Sequence, residues 1–80
     1  MLGPEIARLQ RVIAERRADL DPQTVSIVET NLKLIDAAIK SSRAALAKDP
    51  ASGFLNEQLT RALDKKVELL RTAALLPSST

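Results

Sequence analysis

The stretch PQTVSIVETNLKLIDAAIKSSRAALAK, residues 22–48, decides the fold of this 80-residue chain. It lies between two helix-breaking Asp-Pro steps, and it contains no Gly or Pro after its first residue. Its apolar residues recur in alternating steps of three and four, the spacing of a helix with one buried seam. These residues are Val25, Val28, Leu32, Ile35, Ile39 and Leu46, with Ser42 in the remaining position. The pattern predicts a single helix about 40 Å long.

Helix breakers divide the rest of the chain into two further helices, predicted at about 4–18 and 53–76. The apolar stripe of the first comprises Ile6, Leu9, Val12 and Ile13. The stripe of the third comprises Leu55, Leu59, Leu63, Val67, Leu70 and Ala74, and it is widened by Ala62, Leu69 and Ala73. Asp21 and Ser52 are the predicted N-caps of the second and third helices. The sequence therefore predicts an all-α domain, a short N-terminal helix plus a long antiparallel helical hairpin, over residues 4–76, with a frayed tail at 77–80.

A second apolar stripe on the long helix consists of Ile27, Leu34, Ala38 and Ala45. It lies roughly 110° around the helix from the main seam, so the third helix cannot bury both stripes. We expect the first helix to cover Ile27 and Leu34. It is only about half as long as the second helix, and it should not reach Ala45.

Composition excludes several kinds of site. The chain has no Cys and no His, so disulfides, Cys/His zinc sites and His-dependent nucleophiles are excluded, and we expect no metal or other cofactor. Its 12 basic and 10 acidic residues are interleaved along the whole chain, which is typical of a solvated helical surface. The dibasic pairs Arg16-Arg17 and Lys65-Lys66 are too few to predict nucleic-acid binding. No apolar run is long enough to insert into a membrane.

The spacing of the charged side chains is that of solvent-exposed positions on helices. Favourable acid-to-base pairs four residues apart are expected at Glu29–Lys33, Asp36–Lys40 and Glu57–Arg61. Asp36, Asp64 and Glu68 are the candidate catalytic carboxylates, but they have neighbouring Lys and Arg and no His, so we predict no catalytic site and no enzyme. The sequence Asp49-Pro50-Ala51-Ser52 is reminiscent of a tetratricopeptide helix end. Those repeats are 34 residues long, must stack in several copies, and contain a helix–turn–helix break, which the long helix lacks.

One family resemblance covers most of the chain. It rests on the segments Glu5-Ile6-Ala7-Arg8-Leu9, Leu20-Asp21-Pro22-Gln23-Thr24-Val25, Asn31-Leu32, Ile35-Asp36-Ala37-Ala38-Ile39, Ala44-Ala45-Leu46-Ala47-Lys48-Asp49-Pro50-Ala51-Ser52 and Lys66-Val67-Glu68-Leu69-Leu70-Arg71. Together they resemble the C-terminal helical tail of bacterial anti-sigma-factor-like proteins. In that family a Cys/His zinc domain and a transmembrane helix precede an extracytoplasmic tail. The resemblance implies an excised tail, with residues 1–3 as a possible cloning residue, and it carries over no zinc or sigma-binding residue.

The sequence therefore predicts a protein-interaction and oligomerisation module. The expected partner is a second copy, with a dimer favoured, or another helical protein. The predicted contact residues are Ile27, Leu34, Ala38, Ala45, Leu69, Ala73 and Leu76. The resemblance implies the extracytoplasmic tail of a membrane-anchored anti-sigma-type transcription regulator. The alternative is a self-contained cytosolic helical-bundle adaptor.

Overall fold

The computed structural model describes residues 3–78, and it has three α-helices and no strand within them. Helix α1 spans Gly3–Arg16 and continues into a 3-10 turn at Arg17–Asp19. Helix α2 spans Pro22–Lys48, and helix α3 spans Gly53–Ala74. The predicted all-α fold, a short helix followed by a long antiparallel hairpin, is confirmed.

The helix boundaries follow the prolines. Helix α2 begins and ends where the sequence predicted. The α-helical part of α1 ends two residues before the predicted end, and α3 also ends two residues before its predicted end. Helix α3 ends shortly before Pro77, and a proline disfavours helical geometry in the residue before it. Helix α1 passes into the 3-10 turn at Arg17–Asp19.

The predicted tail begins outside the helices, as expected, but it is not wholly detached. Pro77 and Ser78 are exposed, and the Ser78 hydroxyl donates a hydrogen bond to the carbonyl oxygen of Asp19 at 3.3 Å. Of the three residues assigned to cloning, Gly3 is the first residue of α1. Residues 1, 2, 79 and 80 lie outside the described part of the chain.

Both predicted N-caps are confirmed. The carboxylate of Asp21 accepts a hydrogen bond from the backbone N–H of Gln23 at 3.0 Å. The Ser52 hydroxyl oxygen accepts one from the backbone N–H of Leu55 at 3.1 Å. Each cap satisfies a backbone donor that the first turn of a helix leaves unpaired, and each contributes about 1 kcal/mol. Together they fix where α2 and α3 begin.

The main seam of α2 packs against α3 along the hairpin. Every position of the seam is buried or half-buried, with Val25 and Ile39 the most enclosed. On α3, the most enclosed residues are Ala62, Val67, Leu70 and Ala73, and the last two expose only 1% of their surface. The widened stripe of α3 thus forms the centre of the core.

Helix α1 packs mainly against α3, and the prediction that it covers the second stripe of α2 is wrong. Leu9 joins Val67 and Leu70 in the main core cluster, and Leu32 is the α2 residue that packs against this cluster. Ile6, Ile13 and Ala74 also pack against it. Consequently Ile27 and Leu34 remain 58% and 68% exposed.

Polar contacts at both ends of α1 explain this position. Near its start, the Glu5 carboxylate accepts hydrogen bonds from the Arg71 guanidinium on α3. At its end, the Arg16 guanidinium donates to the carbonyl oxygens of Ala74 and Leu76. The bond to Ala74 occupies a carbonyl that the last turn of α3 would otherwise leave unpaired, whereas Leu76 lies two residues beyond that helix. Both contacts lead to α3, so they support the position that the packing of Leu9 gives to α1.

The molecule is long and flat, with Cα extents of 49 × 22 × 13 Å. Helix α1 has 14 residues and is therefore about 21 Å long, roughly half the length of α2. The end of the hairpin near the turn at residues 49–52 thus extends beyond α1.

We expect Arg16→Met to lower the free energy of unfolding by about 1–2 kcal/mol, because Arg16 donates charge-assisted hydrogen bonds to the end of α3. Urea denaturation followed by circular dichroism measures the change. Arg11→Met is the matched control, since Arg11 is exposed on the same helix. Equal stabilities for the two variants would show that the Arg16 contact does not hold α1 to α3.

Candidate interaction surface

Among residues 3–78, four large apolar side chains are prominently exposed: Ile27, Leu34, Phe54 and Leu75, at 58%, 68%, 68% and 83%. Ile27 and Leu34 are seven residues apart on α2, so they share one face of that helix. Sequence patterning predicted both as contact residues. The structure leaves this face free of α1.

A shallow groove runs between α2 and α3 beside Leu34, and we call it the outer groove. Leu34, Ile35, Ala38 and Ser42 line it from α2. The residues that line it from α3 are Gln58, Arg61, Ala62 and Lys65. The groove therefore combines an apolar floor with a polar, basic rim, and its volume is about 340 Å³. No residue of α1 lines it.

The predicted contact residues divide into three groups. Leu34 and Ala38 line the outer groove, and Ile27 continues the same exposed face towards the start of α2. Ala45 and Leu69 are half-buried. Leu69 follows Ala62 by seven residues, so it continues the α3 side of the groove.

Two of the predicted contact residues lie elsewhere. Ala73 is 1% exposed inside the chain's own core, so it is not available to a partner, and its assignment as a contact residue is corrected. Its small side chain fits the narrow space where α3 meets its neighbours. Leu76 is half-buried, and it lines a pocket between the three helices together with Ala73.

Sequence patterning missed the exposure of Phe54 and Leu75. Phe54 is the chain's single aromatic residue, and it lies in the first turn of α3, off the apolar stripe. That position off the stripe was a usable signal for exposure. Leu75 follows the last helical residue, and its 83% exposure depends on where α3 ends, which periodicity does not specify.

Several charged side chains form ion pairs with other parts of the same chain. Of the predicted pairs, Glu57–Arg61 forms, at 2.6 Å. Glu29 is bound by Arg17 at 2.9 Å, and Asp36 by Lys66 at 2.6 Å. Arg17 and Lys66 belong to the two dibasic pairs, so these cations have an intramolecular role.

The outer groove is concave and has an apolar floor, and its lining contains no cluster of reactive side chains. The carboxylates considered for catalysis, Asp36, Asp64 and Glu68, are all exposed on helix surfaces. Within residues 3–78 no cluster of acidic side chains could hold a metal ion. None of the helices in this range is long and apolar enough to cross a bilayer. The arrangement is therefore suited to binding another apolar surface.

Comparison with known proteins identifies no relative: no family model, curated protein or solved structure matches this chain.

The ion pair between Arg17 and Glu29 joins the 3-10 turn to α2 and changes the acidity of the carboxyl group. Both guanidinium Nη atoms donate to the carboxylate, at 3.0 and 2.9 Å. These hydrogen bonds hold the pKa of Glu29 below its usual value, and the positive charges of Arg17 and Lys33 act in the same direction. Reduced hydration of the carboxylate opposes them.

We expect Arg17→Met to return the pKa of Glu29 towards its ordinary value, as measured by NMR titration of the side-chain carboxyl carbon. A carboxyl whose folded pKa is lowered stabilises the fold above its unfolded pKa. That contribution is lost as pH falls through the folded pKa. The free energy of unfolding of the variant should therefore decrease less than that of the wild type when the pH is lowered. Arg11→Met should leave the titration of Glu29 unchanged, and an identical titration in the Arg17 variant would contradict the ion pair.

Proposed function

We propose that this chain is a non-enzymatic interaction module that associates with a second copy of itself through the outer groove. The observation that carries the proposal is the exposure of Ile27 and Leu34 on the face of the hairpin that α1 leaves open. Burial of apolar surface stabilises an interface by about 25 cal/mol per Å², less the entropic cost of association. Within residues 3–78 the two side chains stay mostly exposed, so a partner that covers them would supply this energy.

The size and shape of the molecule support a face-to-face dimer. A standard interface buries about 800 Å² on each partner. That is roughly a seventh of the 5654 Å² surface of one chain. The broad face of the molecule, with Cα extents of 49 by 22 Å, is large enough to provide this area. Two hairpins stacked on this face would form a four-helix arrangement with a second apolar layer.

The composition of the outer groove also supports close packing of helices. Ala38 and Ala62 are small residues on the two sides of its floor, and small side chains let helix axes approach. Gln58, Arg61 and Lys65 supply a polar border. An apolar centre within a polar rim is the usual composition of a protein–protein interface.

The resemblance to anti-sigma-factor tails supports a more specific setting for the proposal. In that setting the module is the extracytoplasmic part of a membrane-anchored transcription regulator, and pairing of the tails brings two regulators together. The test is the coding sequence upstream of this segment. A membrane-spanning apolar run preceded by clustered Cys and His codons supports the regulator. Their absence favours the alternative, a cytosolic adaptor that binds another helical protein.

We expect the wild-type chain to associate reversibly at micromolar concentrations, and Leu34→Glu to weaken that association by at least about tenfold. The substitution removes about 1.5–3 kcal/mol of apolar burial on each chain and places a charge in the interface. Sedimentation equilibrium measures the association constant. Circular dichroism of the diluted monomer should show unchanged helicity, because Leu34 is 68% exposed there.

Leu75→Glu is the matched control, since Leu75 is also an exposed leucine, and it borders Arg8, Leu9 and Val12 of α1 rather than the outer groove. This variant should associate like the wild type. A wild-type mass of one chain, 8.7 kDa, at high micromolar concentration would defeat self-association and favour the adaptor. If the Leu34→Glu monomer loses helicity to the same extent as it loses association, Leu34 belongs to the core.

A further inference from the structure

A second apolar cavity lies at the end of the bundle near the Asp21-Pro22 step, and we call it the junction pocket. It is formed where α1 leans onto α3 and leaves space beside α2. Its buried floor consists of Leu20, Leu70 and Ala73, which expose 5%, 1% and 1% of their surface. It shares no lining residue with the outer groove, so it is a separate site.

The volume and walls of the junction pocket define the size of its ligand. The volume is about 180 Å³. Apolar cavities of about 150 Å³ in proteins hold one benzene molecule. Half-buried Ile13 of α1 and Val28 of α2 form two facing walls. A single aromatic ring or a short branched hydrocarbon therefore fits the available space.

The rim of the junction pocket indicates that the ligand is uncharged. Its charged side chains, Arg17 and Glu29, form hydrogen bonds with each other at 3.0 and 2.9 Å. An ionic ligand would have to break this pair or leave one member facing a like charge. No buried side-chain N or O atom in the described part of the chain lacks a hydrogen-bond partner, so none there needs a polar ligand.

We propose that the junction pocket binds a small, uncharged apolar molecule about the size of one aromatic ring. The ligand contacts α1, α2 and α3 at once and fills space that the chain's own side chains leave open. Binding requires no hydrogen bond to be broken. Because a ligand that binds only the folded chain shifts the equilibrium towards it, occupancy stabilises the bundle and fixes α1 in place.

The test uses the whole chain with benzene as the probe and benzoate as its charged analogue. Benzene should raise the melting temperature saturably, by about 5 °C or more at ten times its Kd. In ¹H–¹³C NMR spectra, shifts should be confined to methyl groups that line the pocket, such as those of Ile13, Val28 and Leu70. Benzoate at equal concentration should do neither. Lack of a saturable benzene effect, or equal binding of benzoate, would overturn the proposal.

Ala14→Leu is the decisive variant, because Ala14 is an exposed residue of α1 on the rim, and a larger side chain there fills the cavity without disturbing the core. It should fold and bind benzene at least tenfold more weakly. Ala7→Leu places the same change on an exposed position of α1 away from the pocket and should bind normally. Equal affinities for the two variants would contradict the assigned site.

One other occupant is tested in the same experiment. Phe54 of a second copy, which is 68% exposed at the opposite end of the hairpin, could also place a ring in the pocket. If the pocket signals shift with protein concentration alone, and Phe54→Ala abolishes that shift, then the pocket is a protein contact and the small-molecule proposal is wrong.

Discussion

The packing of α3 against two neighbours at once is the constraint on which the rest of the structure depends. Leu70 and Ala73, each 1% exposed, lie where α3 meets the other helices, and Leu9 of α1 packs against Leu70 there. The stripe of α3 is wide enough to contact both partners because apolar residues occupy adjacent positions at 62–63, 69–70 and 73–74. In a chain with a single aromatic residue, this aliphatic junction supplies much of the available apolar burial.

Two surfaces follow from that arrangement. Since α1 commits its apolar stripe to α3 and is held there by Glu5 and Arg16, it cannot also cover Ile27 and Leu34 of α2. The uncovered stripe borders the outer groove, and the space that α1 leaves beside α2 becomes the junction pocket. The first is extended and fits another helical surface, whereas the second is compact and fits a small molecule. Both therefore have the same cause, which is that α1 packs mainly against α3 and little against α2.

The sequence was sufficient for the helices and the antiparallel hairpin, and insufficient for the position of α1. The ends of α2 are set by local signals, the N-cap Asp21 and an Asp-Pro step at each end. For this reason the bounds 22–48 were predicted correctly. The angle between two stripes on α2 showed that α3 could not bury both, but the expectation that α1 would cover Leu34 was wrong, since Leu34 is 68% exposed. The position of α1 could not be predicted, because it depends on contacts between residues far apart in the sequence: Leu9 packs on Val67 and Leu70, and Glu5 and Arg16 bind partners 66 and 58 residues away. For the same reason Ala73 was assigned to a surface when it belongs to the core.

The most direct test of this packing is a methyl–methyl NOESY spectrum of the chain at a concentration where it is monomeric. We expect cross-peaks from Leu9 to Val67 and Leu70, and none from any methyl group of α1 to Leu34. Cross-peaks from Ile6 or Ile13 to Leu34, with those to Leu70 missing, would mean that α1 covers the outer stripe of α2. In that case a single molecule would shelter the surface here assigned to a partner.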